Sequence, residues 1–512
     1  MQLLFARLAG FWFICCFFLK ANSQPNFITD SLTNYLERGM REWKIPGVAV
    51  GIIKNDSIHY INGLGITDVT TKQPVKTNTL FPIWSMGKSF TALALVMLEQ
   101  QGKINLSLPV KQYLPHFKMN NLYVQNKATT IDLLSHRLGV ETFQGDFLWS
   151  ESTLKTEELI AKWRLLPNKY GLRNGFQYSN FGYLIAGNLI KNISNVSWRQ
   201  FIQKHIIDSL QMNNSFLQFQ QVLLQPSVAK GHSFHNNNWQ VLPIYSSEPI
   251  QPYGGMYSNI TDMLKWLQLH INEGKIAHKK IFDPSIIHQV LQSQNIVGNQ
   301  YLPNGLNPLV TYALGWDRRE YCNKTVYSHG GAYGGFISMM AFVPEEKLGL
   351  VILTNADNHE LGEAVKWQVI DAYLQINKHN YLQNLLNYTQ AAAKEEKATI
   401  AQLLDTIDQQ LPLSMPLKQF CGSFYNNVYG NVSIQLASNK KELIMQFQHH
   451  PTITLQLIPI YQNRFLGIFS HPMFGKQVLS FDINNKKIKG FQLFVHPYVE
   501  FTGYYFKPIK KH

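Results

Sequence analysis

The sequence predicts a two-part fold of mixed α/β (α+β) class: an antiparallel sheet flanked by helices with a helical subdomain, then a small C-terminal antiparallel β-barrel. Three observations support this prediction. Strand-like apolar runs occur near residues 50 and 340, with helical patterns between them. A polar, alanine-rich stretch interrupts the chain near residue 395. Beyond residue 420, short aromatic-rich runs alternate with turn residues, as in small antiparallel barrels.

The first strands form a hairpin that follows a short helix. Residues 29–43 have a helical pattern, and the apolar runs 47–54 and 57–66 surround Asn55 and Asp56. Asparagine and aspartate tolerate the backbone of a tight two-residue turn. The two runs are therefore expected to pair antiparallel.

The elements that follow are a buried helix, a helical region and a meander of strands. The helix begins near Ser85 and is expected to end at Gly102, because glycine is a common helix C-cap. Helical patterns and loops dominate over 100–275. Strands return around 327–354, where Pro344 begins the turn between the last two.

These patterns divide the chain into four parts. A leader, residues 1–23, precedes a sheet-and-helix domain over 24–375. A helical linker over 376–412 ends where prolines break the helical pattern. The barrel domain is predicted over 413–512.

The leader has the pattern of a secretory signal peptide. Arg7 precedes the apolar run Leu8–Leu19, and small residues near position 23 offer a cleavage site. We expect a secreted or periplasmic protein. The alternative is an uncleaved N-terminal anchor, although the run is short for a bilayer span.

Composition limits the classes of partner. The 46 basic and 32 acidic side chains give a net charge of +14. Removal of the leader takes away two basic residues, so the mature charge is 14 − 2 = +12. These charges are spread along the chain, so no nucleic acid is expected as a partner. The expected partner is a small-molecule or peptide substrate.

Cysteine and metal-ligand patterns give little further information about function. Cys322 and Cys421 are the cysteines outside the leader, and the sequence leaves open whether they pair. No zinc-binding cluster of His and Asp is found, and no metal or cofactor is expected.

A serine and a lysine three residues apart form the first candidate catalytic pair. Ser85 and Lys88 lie at the start of the apolar helix, where positions i and i+3 share one face. The lysine can then act as base for a serine nucleophile. The same spacing occurs at Ser152/Lys155 and Ser438/Lys441, but the first pair opens a polar surface helix and the second lies in a turn.

Two later motifs can supply the other groups that acyl transfer needs. Tyr178 and Asn180 place a phenol and an amide before an apolar helix. His329-Gly330-Gly331-Ala332 predicts an edge strand whose glycines let a substrate approach closely. The repeated pattern at Tyr257-Ser258-Asn259 is better explained as a turn before a capped helix.

These motifs, in this order, resemble those of the serine β-lactamase and penicillin-binding protein superfamily. The similarity is to the class C β-lactamase-like group, which includes DD-peptidases, D-aminopeptidases and esterases. It spans roughly residues 30–375 and includes flanking segments such as 45–50 and 254–258. The tail from about residue 415 resembles the lipocalin-like β domain of such enzymes.

The resemblance implies a role for each site residue. Ser85 would be the acylated nucleophile, Lys88 its base or proton relay, and Tyr178 the group that protonates the leaving group. Asn180 would hold the substrate amide and His329 would line the substrate side. The backbone N–H groups of Ser85 and Ala332 would form the oxyanion hole beside Gly331.

One departure from the class C pattern bears on the substrate. His329 stands where class C β-lactamases carry lysine, and a histidine is mostly neutral at pH 7. The sequence therefore predicts an exported serine hydrolase of amides or esters, such as D-amino-acid peptides, esters or β-lactams. The alternatives are a slowly turning-over penicillin-binding protein and a non-catalytic scaffold that retains the fold.

Overall fold

An eight-stranded antiparallel sheet organises the first part of the chain. The computed structural model describes residues 25–235, 237–243, 248–376 and 379–509, and the predicted signal peptide 1–23 lies outside them. In spatial order the strands are Ser57–Gly65, Gly47–Lys54, Leu348–Thr354, Phe336–Val343, Lys324–Tyr333, Asp317–Tyr321, Leu309–Tyr312 and Asn295–Asn299.

The predicted hairpin is confirmed. Asn55 and Asp56 have φ values of 49° and 63°, so both adopt the left-handed backbone that the tight turn requires. The strand Gly47–Lys54 lies inside the sheet, and its side chains alternate between two apolar layers. Val48, on one face, belongs to a different buried cluster from Ala49, on the other.

Helices cover both faces of the sheet. Leu32–Trp43 and Leu361–Leu374 pack on the face that carries Val48. Lys88–Gln100 and Ile260–Ile271 pack on the opposite face. The Lys88–Gln100 helix is buried on all sides, so the residues at its start are held between the sheet and the helical subdomain.

The helical subdomain and several short elements connect these layers. Its further helices are Val110–Tyr113, Leu122–Lys127, Thr130–Leu134, Thr156–Trp163, Asn180–Ser194, Trp198–Ile202, Phe219–Leu223, Gln251–Gly254 and Pro284–Leu291. Three short strand pairs are Phe81–Pro82 with Tyr257–Ser258, His232–His235 with Asn238–Val241, and Lys275–Ile276 with Lys279–Lys280. Short 3₁₀ or π turns occur at Phe27–Ser31, Trp84–Gly87, Asp146–Leu148, Gln203–Ile207, Glu248–Ile250, Pro344–Glu346, Leu417–Phe420 and Pro472–Phe474.

A closed eight-stranded barrel forms the C-terminal part, and it follows the long helix Tyr381–Asp408. Its strands are Gly422–Asn426, Gly430–Leu436, Leu443–Phe447, His450–Tyr461, Arg464–Phe469, Lys476–Asn484, Lys487–Leu493 and Tyr504–Pro508. Both parts of the predicted fold class, the sheet with its helices and the small antiparallel barrel, are thus confirmed. Cys322 and Cys421 are both free thiols.

The strand that carries His329 differs from the edge strand predicted from sequence. Lys324–Tyr333 pairs along its whole length with Phe336–Val343, and its first half also pairs with Asp317–Tyr321. The second pairing ends at Ser328. Only the half from His329 onwards lacks this second neighbour, which leaves that half open to the site.

Candidate active site

Ser85 lies in the 3₁₀ turn Trp84–Gly87, directly before the helix Lys88–Gln100. Trp84 has a φ of 46°, in the left-handed region that bulky side chains rarely adopt. Such a conformation costs about 1–3 kcal/mol and persists where surrounding contacts hold it. Trp84 and Met86 are buried while Ser85 stays partly exposed, so the turn presents the serine hydroxyl to the site.

Lys88 contacts Ser85 as the sequence spacing predicts. Its Nζ lies 2.8 Å from Ser85 Oγ and 2.6 Å from Asn180 Oδ1. Burial lowers the pKa of Lys88 well below its usual value, and Asp146 acts in the opposite direction. A neutral amine at this position can accept the Ser85 proton, so the pair has the geometry and the electrostatics of a nucleophile and its base.

Asn180 links Lys88 to a buried carboxyl group. It is the first residue of the helix Asn180–Ser194, and Ser179 caps that helix by accepting the Gly182 N–H. Asn180 Nδ2 donates to Asp146 Oδ2 at 2.6 Å, while its Oδ1 accepts from Lys88. Its amide is therefore fixed in one orientation by a donor on one side and an acceptor on the other.

Tyr178 lies above Lys88, with the lysine Nζ 4.7 Å from the centre of its ring. Burial raises the pKa of Tyr178 well above its usual value, while a hydrogen bond with Ser85 acts in the opposite direction. The phenol is therefore protonated when Lys88 is neutral. In the resting site Lys88 is therefore able to accept a proton and Tyr178 is able to donate one.

His136 supports the Tyr178 turn. Its ring stacks on Tyr178 with centroids 4.2 Å apart, and its Nδ1 accepts a hydrogen bond from the Ser179 N–H at 2.9 Å. Burial, with Lys88 and His329 nearby, lowers the pKa of His136 well below its usual value. His136 thus orients the turn as a neutral side chain.

His329 is a neutral member of the site. Its Nε2 lies 3.0 Å from the Tyr312 hydroxyl, and its Nδ1 donates to the carbonyl of Gly330 at 2.6 Å. Burial, with Lys88 close by, lowers the pKa of His329 to about 3. The position therefore carries no positive charge at neutral pH.

The strand beyond His329 passes against the Ser85 turn. Gly331 faces the Ser85 backbone nitrogen, and Ser338 Oγ bonds to the carbonyls of both Ile83 and Gly331. Ala332, the next residue, is exposed at the open half of the strand. The predicted oxyanion-hole residues thus lie on two segments that are packed directly together.

The alternative motifs lie elsewhere. Ser152 Oγ accepts the N–H of Leu154, and Ser438 is exposed in a barrel turn. Asn259 caps the helix Ile260–Ile271 by accepting the Asp262 N–H, as the sequence predicts. None of these residues has a hydrogen bond, among those the structure describes, to the cluster around Ser85.

Asp146 and Tyr312 are site residues that the sequence reasoning missed. Asp146 is the only charged residue between Phe143 and Ser150, and a lone acid in an apolar stretch is the signal that marks it. Tyr312 has no comparable signal, because nothing in its local sequence indicates that it meets His329. Within residues 25–509, the described part of the chain contains no group of three or more side chains arranged to hold a metal ion.

The arrangement of Ser85 and Lys88 can support acyl transfer to a serine with a lysine as the base, which is the chemistry of one class of serine hydrolases. Residues 32–375 match the Beta-lactamase family, and the chain belongs to this family. Members of the family are serine hydrolases.

Individual relatives are distant. Unguisins hydrolase ungD of Aspergillus violaceofuscus is 25% identical over 446 residues, which cover 81% of this chain and 78% of that protein. Protein flp of Staphylococcus aureus strain MW2 is 27% identical over 346 residues, covering 66% of this chain and 65% of that protein.

The solved structures support the fold. The octameric penicillin-binding protein homologue from Pyrococcus abyssi aligns with a TM-score of 0.60 at 21% identity, over 93% of this chain and 98% of that one. The D-alanine carboxypeptidase AmpC from Burkholderia cenocepacia aligns with a TM-score of 0.55 at 20% identity. The alignment covers 68% of this chain and 99% of that one.

Proposed function

We propose that this protein is an exported serine hydrolase that cleaves an amide or ester bond through an acyl-enzyme on Ser85. The observation that carries the proposal is the hydrogen-bonded series from Ser85 to Lys88 to Asn180, in which the lysine is buried and its pKa is lowered. Folding alone does not require a buried lysine beside a partly exposed serine, because an apolar side chain could be buried there without the cost of removing an amine from water.

The proton transfers follow from the ionisation states. Lys88 accepts the Ser85 proton as Oγ attacks the substrate carbonyl carbon. The backbone N–H groups of Ser85 and Ala332 stabilise the oxyanion that forms. Tyr178 then gives its proton to the leaving group and regains one from Lys88. A water molecule attacks the acyl-enzyme with the same groups acting in reverse.

The neutral His329 favours substrates without a carboxylate at that position. A fixed cation would attract a carboxylate, and His329 provides none at neutral pH. We therefore place D-amino-acid peptides and esters before β-lactams as substrates. The name of an unguisins hydrolase among the similar proteins agrees with a hydrolase.

Intact mass spectrometry of the protein, expressed with its own leader, tests the proposal. A fluorophosphonate adduct that is absent from Ser85→Ala, with no lasting penicilloyl adduct, supports an esterase or peptidase, and loss of the penicillin distinguishes fast β-lactam turnover. A lasting penicilloyl adduct indicates a slow penicillin-binding protein. Labelling by neither reagent contradicts the proposal and favours a scaffold. The same spectrum tests export, because loss of residues 1–23 gives the mature mass.

A further inference from the structure

The turn that carries Asp146 is held by the C-terminal barrel. The next residue, Phe147, is 2% exposed and stacks on His450 and Tyr429 of the barrel, with ring centroids 4.4 and 5.6 Å away. Three more barrel rings contact it edge-on: Phe447, Phe469 and Phe474. Asp146 therefore lies between Asn180 of the active site and a residue buried in the barrel.

Glu500 of the barrel reaches the same turn. Its carboxyl group is buried and accepts the backbone N–H groups of Gly145 and Phe147, the residues on either side of Asp146. The hydroxyl groups of Tyr429 and Tyr504 also donate to it. Four donors converge on this carboxyl group, and such donors stabilise the ionised form.

Asp146 has a much poorer set of donors. Its Oδ2 accepts one hydrogen bond, from Asn180, and its buried Oδ1 makes none, although the Trp149 side chain lies close by. Two neighbouring buried carboxyl groups cannot both ionise readily, so the group with fewer donors keeps its proton to higher pH. The donor sets identify Asp146 as that group, and Glu500 carries the negative charge above about pH 7.

We propose that Glu500 is a positioning residue of the active site, which holds the Asp146 turn and, together with burial, keeps Asp146 neutral beneath Asn180, so that Lys88 remains free to act as a base. This inference rests on the proposed hydrolase function. The barrel would then contribute a positioning residue to the active site.

The groups around Lys88, Asp146 and Glu500 are consistent with this assignment. The titratable or charged side chains that face them are His136, Tyr178, Tyr183, Tyr253, Tyr333 and His329 around Lys88 and Asp146, and Tyr429 and Tyr504 around Glu500. Burial and the Glu500 charge raise the pKa of Asp146 well above its usual value, whereas the pKa of Glu500 is raised to about 7. Ionised Asp146 would raise the pKa of Lys88, because the two groups attract.

The pH dependence of Ser85 labelling by a fluorophosphonate tests the inference. In Glu500→Gln the neighbouring charge is gone, so Asp146 ionises at a lower pH and holds Lys88 protonated. We expect the acidic limb of the labelling rate to move to higher pH by about one unit. Asp146→Asn mimics the neutral acid and should leave the limb in place. The double variant should follow Asp146→Asn, because Glu500 acts through Asp146.

A matched control is Glu442→Gln, which makes the same chemical change at a barrel carboxylate that accepts from Gln456. The acidic limb of its labelling rate should stay at the wild-type pH. If Glu500→Gln folds poorly, Tyr429→Phe removes one donor to Glu500 and should move the limb in the same direction by less. An unmoved limb in both variants, or a shifted limb that persists in the double variant, overturns the inference.

A second measurement separates this inference from the proposed function. Carbon-13 NMR of protein labelled at aspartate, with Asp146→Asn to assign the signal, reports ionisation even if Ser85 never reacts. We expect Asp146 to be protonated at pH 8 in the wild type and to ionise at a lower pH in Glu500→Gln. An ionised Asp146 in the wild type overturns the inference, whereas absent labelling with a protonated Asp146 overturns the hydrolase proposal alone.

Discussion

Gly331 packs directly against the backbone nitrogen of Ser85: a Cβ atom at Gly331 would lie 2.8 Å from that nitrogen. It would also lie 2.7 Å from Ser338 Oγ, whose hydrogen bonds hold the strand to Ile83. The absence of a side chain at Gly331 therefore allows the strand to lie close to one donor of the predicted oxyanion hole.

Gly331→Ala should displace the Ser85 nitrogen and reduce the rate of Ser85 acylation by about 100-fold or more, as the loss of an oxyanion donor does. The crowding should also cost about 1–3 kcal/mol of stability. Gly330→Ala is the control, because its Cβ would meet no heavy atom nearer than 3.5 Å. Fluorophosphonate labelling rates of the two variants provide the comparison, and equal rates would contradict the packing argument.

The two Tyr-x-Asn motifs predict opposite effects of the same substitution. Tyr178→Phe removes the hydroxyl that interacts with Ser85 and should lower ester turnover by about 10²–10⁴-fold. Tyr257→Phe alters a buried ring in the short strand that pairs with Phe81–Pro82, and it should change turnover by less than about twofold. Steady-state kinetics with an activated ester measure both. A larger loss of turnover in Tyr257→Phe than in Tyr178→Phe would show that the catalytic motif is the one at Tyr257.

His329 should not contribute to the pH profile between pH 5 and 9. Its pKa of about 3 keeps it neutral across this range. His329→Gln should therefore keep the same acidic limb as the wild type, even if the turnover rate itself falls. The measurement is kcat/KM of an uncharged ester against pH. A limb near pH 6 that disappears in His329→Gln would show that the histidine titrates in the site.

The buried Glu500 also predicts how stability depends on pH. Burial raises its pKa from 4.5 to about 7, so the folded chain binds a proton at Glu500 more tightly than the unfolded chain. This contribution to stability is complete below about pH 4.5 and is lost as the pH rises through about 7. Between pH 4.5 and 8, the wild type should lose about 3 kcal/mol relative to Glu500→Gln.

Calorimetry of the two proteins at several pH values measures this difference. The subtraction removes the contributions of the buried histidines, whose lowered pKa values act in the opposite sense. A constant difference between wild type and variant across the range would mean that Glu500 binds protons equally in the folded and unfolded chains.

Features set by nearby residues were predictable from the sequence. The hairpin at Asn55 and Asp56 depends on two adjacent residues, and the Ser85–Lys88 contact depends on one helical turn. The helix cap at Asn259 was distinguishable from the site motif for the same reason, since capping involves residues three positions apart.

Features set by distant residues were not predictable in this way. The His329 strand was expected at an edge, with glycines that let a substrate approach closely, but strand order depends on pairing across the whole sheet. Asp146 and Glu500 are separated by 500 − 146 = 354 positions. Their association arises only when the barrel docks, and no local pattern indicates it.

The barrel that covers Phe147 is synthesised after the residues around Ser85. Glu500 follows Ser85 by 500 − 85 = 415 positions, so the nucleophile is synthesised long before the residue that holds the Asp146 turn. On the proposal that Glu500 positions the Asp146 turn, a chain interrupted before the barrel would leave the Phe147 ring uncovered and keep Lys88 protonated to higher pH. We expect such an incomplete or proteolysed molecule to acylate Ser85 more slowly than the whole chain.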